Sequence, residues 1–508
     1  MADKKKANNG IKSSRRSKII LGSFITVFIL IILGFFIFVT GALQKFVTGI
    51  KITQTSAEGN VTTLENISVA EANYHYYQVL NTFYGYGMIQ GEEQLEEVMD
   101  ESTGKTWYQF LMDQAANEIM NSVIVNRKAE EAGYLQYSGA ARYADLNIES
   151  MRRMASMYGY PTAEQYLQAM YGRGMSTRVF RNCIMREALT NEYEAYVRQF
   201  VFTASEEEIQ AAYDADPLVY ERVDFNYYYF PGTADEEGNY DLAEANAKAD
   251  AVVAASTDSE SFKNAVIAQL DAEDPSLDSF SDDYDPTFAE GYSNANTDMM
   301  AEGFSDFLFG EDTELGSCTT IEDASGVYVV MLADRYVNED PAVTYRTLTM
   351  YNPALDLDEP TDEDLINGQN EMTNRANELA ASATDSMSFV ALVKENSEVP
   401  SEIISGGYID GIDASQFEYS ETNPISQQQI DLGTWLFDES RVAGDTLVQV
   451  SEDGSGVTIY YFENSVPMWM YTARNQLVTA MVNGWSADIT NEGVSYAIAY
   501  DLMRTLSK

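Results

Sequence analysis

The side chains able to do acid–base, nucleophilic or metal chemistry are unevenly supplied in this sequence. It has one histidine, His75, two cysteines, Cys183 and Cys318, and 80 acidic residues against 31 lysines and arginines. A Ser-His-Asp or Cys-His centre would have to be built on His75. That residue sits in NYHYYQVL, among aromatics on a predicted helix, which is the setting of a packed structural histidine. The same counts exclude a cysteine-rich scaffold and a His-rich metal centre. The acidic stretch 271–285 lacks the D-x-[DN]-x-[DN]-G-x5-E spacing of a calcium loop. A phosphate-binding G-x-x-x-x-G-K-[ST] loop is absent as well. Chemistry by carboxylates alone stays open, but the sequence assigns no catalytic residue, metal or cofactor. Whether Cys183 and Cys318 pair is a question of geometry that spacing does not answer.

The elements that would position any site belong to a large, acidic chain. Its 508 residues are enough for several domains, and 45% hydrophobic residues can build their cores. The formal net charge is −49, which argues against nucleic acid as a partner because phosphate binding needs basic surface. Residues 19–43 carry no charge over 25 positions. As a helix this run would be roughly 38 Å long, enough to cross a hydrocarbon core of about 30 Å. Seven cations (Lys4, Lys5, Lys6, Lys12, Arg15, Arg16 and Lys18) precede it, against Asp3. The positive-inside rule then makes 1–18 a cytoplasmic tail and 19–43 a single transmembrane helix, with the bulk of the chain extracytoplasmic. A cleaved signal peptide is the alternative, since Thr40 and Ala42 are small. The apolar run nevertheless exceeds the usual ~7–15 residues of a signal h-region.

Residues 60–216 read as a helical domain. Helical patterns cover 68–84, 106–132, 147–158, 162–171 and 176–202, with Gly and Pro at the joins. Ser205 followed by Glu208 has capping-box spacing. After Pro217 the texture becomes α+β. Strands are predicted at 223–230 and 326–332, with helices at 243–255 and 261–270 between them. The order then repeats, with strands at 343–351 and 456–462 around helices at 362–383 and 388–396. Phe309, Gly316 and Gly326 in the first copy match Phe437, Gly444 and Gly456 in the second, and Phe307-Leu308-Phe309 matches Trp435-Leu436-Phe437. Two tandem α+β domains follow, 217–340 and 341–466. Residues 467–508 read as a C-terminal helix packing back on the helical domain.

With these elements in place the chain resembles the SurA/PrsA group of extracytoplasmic folding factors, over about residues 60–508. The resemblance rests on the order of ISVAEANYHYY, AEEAGYLQYS, YLQAMYGRGMSTRVFR and SEEEIQAAYDA. It rests also on Met300-x-x-x-Phe304 in the first α+β copy and on Gly406-Gly407-Tyr408-Ile409-Asp410-Gly411 in the second. It implies a SurA-like helical chaperone domain and two parvulin-like domains, in which a Met and a Phe hold a substrate proline. Active parvulins carry a histidine in the first strand and another in the last. Tyr227 and Tyr328 stand there in the first copy, and Thr347 and Thr458 in the second. Gln428 and Leu432 replace Met300 and Phe304 in the second copy.

Prolyl isomerisation has a barrier of about 20 kcal/mol and needs a pocket that favours the twisted amide. Both copies lack the histidine pair. The resemblance therefore implies a membrane-anchored chaperone or foldase for unfolded, newly exported polypeptides. Tyr227, Met300, Phe304 and Tyr328 would line its substrate-binding face. Two alternatives stay open: an active peptidyl-prolyl isomerase working through the first domain, and a structural component of an envelope complex.

Overall fold

The computed structural model describes residues 41–507, apart from 272–273, 282–283, 358 and 420–423. The expected cytoplasmic tail and nearly all of the expected transmembrane helix lie outside the described residues. Among the described residues no helix is long and apolar enough to cross a membrane.

The chain is α+β and multidomain. It opens with a short helix, α1 (Ala42–Phe46), and a hairpin of β1 (Thr48–Thr55) and β2 (Val61–Ser68). Alternation drives that hairpin: Ile50 and Ile52 are buried while Lys51 is exposed. Five main helices follow: α2 (Val69–Gly85), α3 (Trp107–Glu131), α4 (Ala140–Met157), α5 (Ala163–Tyr171) and α6 (Thr177–Tyr196). Ser68 with Glu71, and Thr106 with Gln109, form complete capping boxes that fix where α2 and α3 begin. A π-helical turn, Val197–Val201, ends α6. Helix α7 (Glu206–Ala215) starts on the Ser205–Glu208 capping box.

The first α+β unit contains β3 (Glu221–Pro231), α8 (Ala243–Ala255), α9 (Ser259–Gln269), β4 (Phe288–Tyr292), α10 (Asn294–Asp298), α11 (Phe304–Leu308), β5 (Cys318–Asp323) and β6 (Gly326–Val337). Its sheet order is β4-β3-β6-β5. The second contains β7 (Pro341–Tyr351), α12 (Asp362–Ser382), α13 (Ser386–Asn396), α14 (Pro400–Ser405), β8 (Tyr408–Ile412), α15 (Gln427–Leu436), β9 (Thr446–Val450) and β10 (Gly456–Pro467), with sheet order β8-β7-β10-β9. Each sheet is therefore four-stranded, two strands more than sequence patterning places in it.

The two units share register as well as order. Pro231 faces Gly326 and Tyr351 faces Gly456, with a bulge at Leu332/Asp334 in one unit and at Phe462/Asn464 in the other. The edge pairs Asn226–Phe288 and Arg346–Tyr408 are equivalent. Gly316 and Gly444, both at positive φ, donate their N–H to Leu332 O and Phe462 O respectively. Thr257-Asp258-Ser259-Glu260-Ser261-Phe262 and Thr384-Asp385-Ser386-Met387-Ser388-Phe389 form the same capping box ahead of α9 and α13. In both copies the phenylalanine that follows the box is fully buried.

The end of the chain departs from the predicted continuous helix. Helix α16 (Met468–Thr490) is followed by a strand, β11 (Val494–Ile498), and by α17 (Tyr500–Ser507). Gly493, at φ 73°, sits in the turn between α16 and the strand. Valine, tyrosine and isoleucine at alternate positions then suit a strand. β11 pairs with β1 (Ile50 opposite Ile498), giving the sheet order β11-β1-β2. Met503 joins Ile50, Ile52, Leu111 and Ile119 in one core. Along α16, Trp485 and Ile489 pack against Tyr193 of α6, while Ala473 and Trp469 pack against Ile209 of α7. Both cysteines are free: Cys183 is buried in the helical unit and Cys318 is partly buried on β5.

A Cβ at Gly493 would lie 2.6 Å from Thr55 O, on a backbone that L-residues rarely adopt. Gly493→Ala should therefore destabilise the chain by about 1–3 kcal/mol, read as a lower urea midpoint.

Candidate functional site

Strand alternation puts Val223, Phe225 and Tyr227 on the same face of the first sheet as Tyr328, Val330 and Leu332. Helix α11 closes over that face after Gly303, whose φ of 92° makes the turn into it. Phe304 is wholly buried there. Its ring lies 5.2 Å from Tyr328 at 89° and 6.3 Å from Tyr227 at 77°, both edge-to-face. Met300 is half-buried against the same cluster. The structure thus brings Tyr227, Met300, Phe304 and Tyr328 together. It corrects one expectation: Phe304 is the floor of the face and presents no surface of its own. The accessible part of the face is formed by Tyr227, Met300 and Tyr328, flanked by exposed Met299 and Tyr284.

Burial pushes both phenols above their ordinary pKa, with Tyr292 and Tyr284 adding to the effect at Tyr227 and Asp323 and Tyr229 at Tyr328. They stay neutral at physiological pH and can donate or accept a hydrogen bond, but they are not bases.

The equivalent face of the second unit is arranged differently. Thr349 and Thr458 face each other, Oγ1 to Oγ1 at 3.1 Å, and Glu402 accepts from both the N–H and the hydroxyl of Thr349 at 2.8 Å. Thr347 donates its N–H to Gly407 O, and a Cβ on Gly407 would come 2.1 Å from Thr347 O. That close approach is why a glycine stands in the turn. Gln428 donates to Val450 O and Leu432 is buried. The Tyr471 ring of α16 lies directly over Gly411.

The second unit is also fastened to the helical unit. Arg346, almost wholly buried, pairs with Glu463 and donates to Gln199 Oε1 and Gly406 O, each at 3.0 Å. Its guanidinium lies 5.2 Å from the Phe200 ring centre and 5.0 Å from that of Tyr408. Gln199 and Phe200 come from the π-helical turn after α6. Nearby, buried Lys394 lies 3.7 Å from Glu192 and 4.7 Å from the ring centre of Tyr134. Arg142 donates to Ser397 O and Asn396 O, at 3.0 and 3.2 Å. In the first unit Asn226 occupies the place of Arg346. Sequence reasoning missed this whole fastening. An arginine in the middle of an otherwise uncharged strand (VTYRTLTMY) was the available signal.

Alongside that interface a cavity of about 700 Å³ opens between α4 and α13, lined by Arg142, Asp145, Glu149, Lys394, Glu395 and Glu398. Its walls are charged, unlike the aromatic face of the first unit. His75 is buried away from it, with Nδ1 3.4 Å from Glu187 Oε1. Burial, reinforced by Arg186, lowers its pKa to about 3, so the imidazole is neutral and structural. Burial raises Glu187 to about 7, while Tyr74 donates to it at 2.9 Å. Among the described residues no cluster of His, Cys, Asp or Glu could hold a metal ion. No family model matches this chain. No curated protein matches it significantly either.

Two predictions follow from these buried charges. Arg346→Ala strands Glu463 without its partner and should cost about 3–5 kcal/mol in chemical denaturation. His75 and Glu187 pull stability in opposite directions. The unfolded imidazole takes up a proton below about pH 6.5 that the folded one refuses, so its contribution is lost as pH falls below that value. The folded Glu187 keeps its proton up to about pH 7 whereas the unfolded one releases it near 4.5, so its contribution is lost as pH rises through that interval. Compared with the parent, Glu187→Gln should therefore gain a positive stability slope between pH 4.5 and 6.5, and His75→Gln a negative one. Each change is at most about 1.4 kcal/mol per pH unit, measured by urea titrations across the window.

Proposed function

We propose that this protein is a membrane-anchored, extracytoplasmic chaperone of the SurA/PrsA kind, holding unfolded exported chains without ATP. In this reading 60–216, closed by α16, is the SurA-like unit and the two α+β units are degenerate parvulin domains. The observation that carries it is the difference between the two copies. One is fastened to the helical unit through Arg346, and its threonine face is bonded internally. The other keeps a tyrosine and methionine face over a buried Phe304, with Met299 85% exposed beside it. Methionine adapts its shape to varied apolar partners and tyrosine offers a large contact surface at little entropic cost, as promiscuous holding requires. The neutral tyrosines at the two histidine positions supply no acid–base centre, so binding rather than isomerisation is the expected activity.

The test is aggregation of a chemically denatured model protein diluted into an equimolar amount of the full chain in detergent or nanodiscs. The chain should delay aggregation, and Met300→Ala with Tyr328→Ala should weaken client binding about fivefold or more. Undelayed aggregation and no client binding would sink the proposal. Proline-peptide isomerisation abolished by Met300→Ala would instead make the first unit an enzyme.

A further inference from the structure

We infer that the surface formed by α1, α5 and the turn 172–175 docks on the head groups of an anionic bilayer and sets the orientation of the whole body. The inference rests on reading 19–43 as a membrane span. The first observation is charge. Residues 150–181 hold five arginines against one acid, Glu164, in a chain of net −49. Arg181 is paired with Asp145. Arg153 and Arg178 are exposed, with no carboxylate at ion-pair distance among the described residues. Arg178 stands in the first turn of α6, where the helix dipole disfavours a cation. That placement suits an external anion.

The second observation is placement. A Cβ on Gly41 would lie 2.4 Å from Gly174 N, so the turn carrying Arg173 abuts the end of the apolar run. Lys45 reaches Glu164 at 3.6 Å, which ties α1 to the start of α5. Around this junction the exposed large side chains are apolar or amphipathic: Phe46, Leu43, Met170, and Tyr158 with its ring stacked on Tyr166 at 5.8 Å. Aromatic rings beside arginines are the composition that settles at a lipid–water interface. The acidic remainder of the chain is repelled by the same head groups. Attraction at this surface and repulsion elsewhere select one orientation. A bilayer is favoured over a protein partner because a chain spanning the membrane at 19–43 brings one to this surface at every moment.

Hydrogen–deuterium exchange on the full chain in nanodiscs tests this, comparing phosphatidylcholine alone with a 7:3 mixture of phosphatidylcholine and phosphatidylglycerol. Amides of 157–176 should exchange at least fivefold more slowly in the anionic discs, and 0.5 M salt should reverse the difference. Arg173→Glu with Arg178→Glu should remove it while exchange in the α3 core stays unchanged. Equal exchange in both lipids, or protection that survives the double substitution, overturns the inference. If the chain does not enter the discs, the membrane-span reading has failed separately. Exchange with anionic vesicles added to the free chain then decides: slower exchange at 157–176 upholds the surface, and unchanged exchange overturns it.

Discussion

One buried guanidinium fastens the second α+β unit to the helical unit. Arg346 is taken out of water in the middle of a strand, and such a charge is tolerable only if every direction around it is satisfied. Glu463 neutralises it, two oxygens accept its protons, and two aromatic rings cover its faces. Those partners come from both units at once. The π-helical turn after α6 supplies Gln199 and Phe200, and the second sheet supplies Tyr408 and Glu463. Moving the second unit away from the helical unit would strip the guanidinium of Gln199 and Phe200. The interface is therefore specified in geometry as well as held in energy.

The first unit has the same sheet order, the same register and the same bulge, but asparagine at the equivalent position. There the buried Asn226 donates to Thr287 Oγ1 within its own unit. Duplication of one architecture thus yields two roles. One copy is bound into the frame, and the other is left with its aromatic face available. The Lys394–Glu192 pair and the backbone bonds of Arg142 reinforce the fastening of the second copy alone.

Much of this was legible in the sequence, for identifiable reasons. The Ser205–Glu208 capping box marked a helix start because its bonds are local. The repeat was visible in Phe309, Gly316 and Gly326 and their counterparts because Gly316 and Gly444 sit at positive φ and a Cβ on Gly326 would come 2.5 Å from Phe230 O. The edge strands β4, β5, β8 and β9 were not visible. They are short, and β4 and β8 pair with strands far back in the sequence. β11 is equally short and pairs with β1 at the other end of the described chain. The N-terminal hairpin went unread although its strands are neighbours in sequence and Ile50 and Ile52 alternate plainly. Of the candidate face, residue identity named the four side chains but could not rank their exposure. That depends on how α11 folds over the sheet. Arg346 was missed because a strand position says nothing about what arrives from another unit.

The pairing of β1 with β11 has a consequence for how the chain is made. Thr53 and Ser495 share a hydroxyl contact across 442 residues of sequence. During synthesis β1 emerges early and can pair with β2, but its other edge stays open until β11 has followed. An open strand edge is a template for wrong partners. The two α+β units lie between, so both can fold while the first sheet waits unfinished. Premature termination anywhere before residue 494 would leave that edge permanently bare. Closure of this small sheet is thus an internal signal that the chain has been made through to β11.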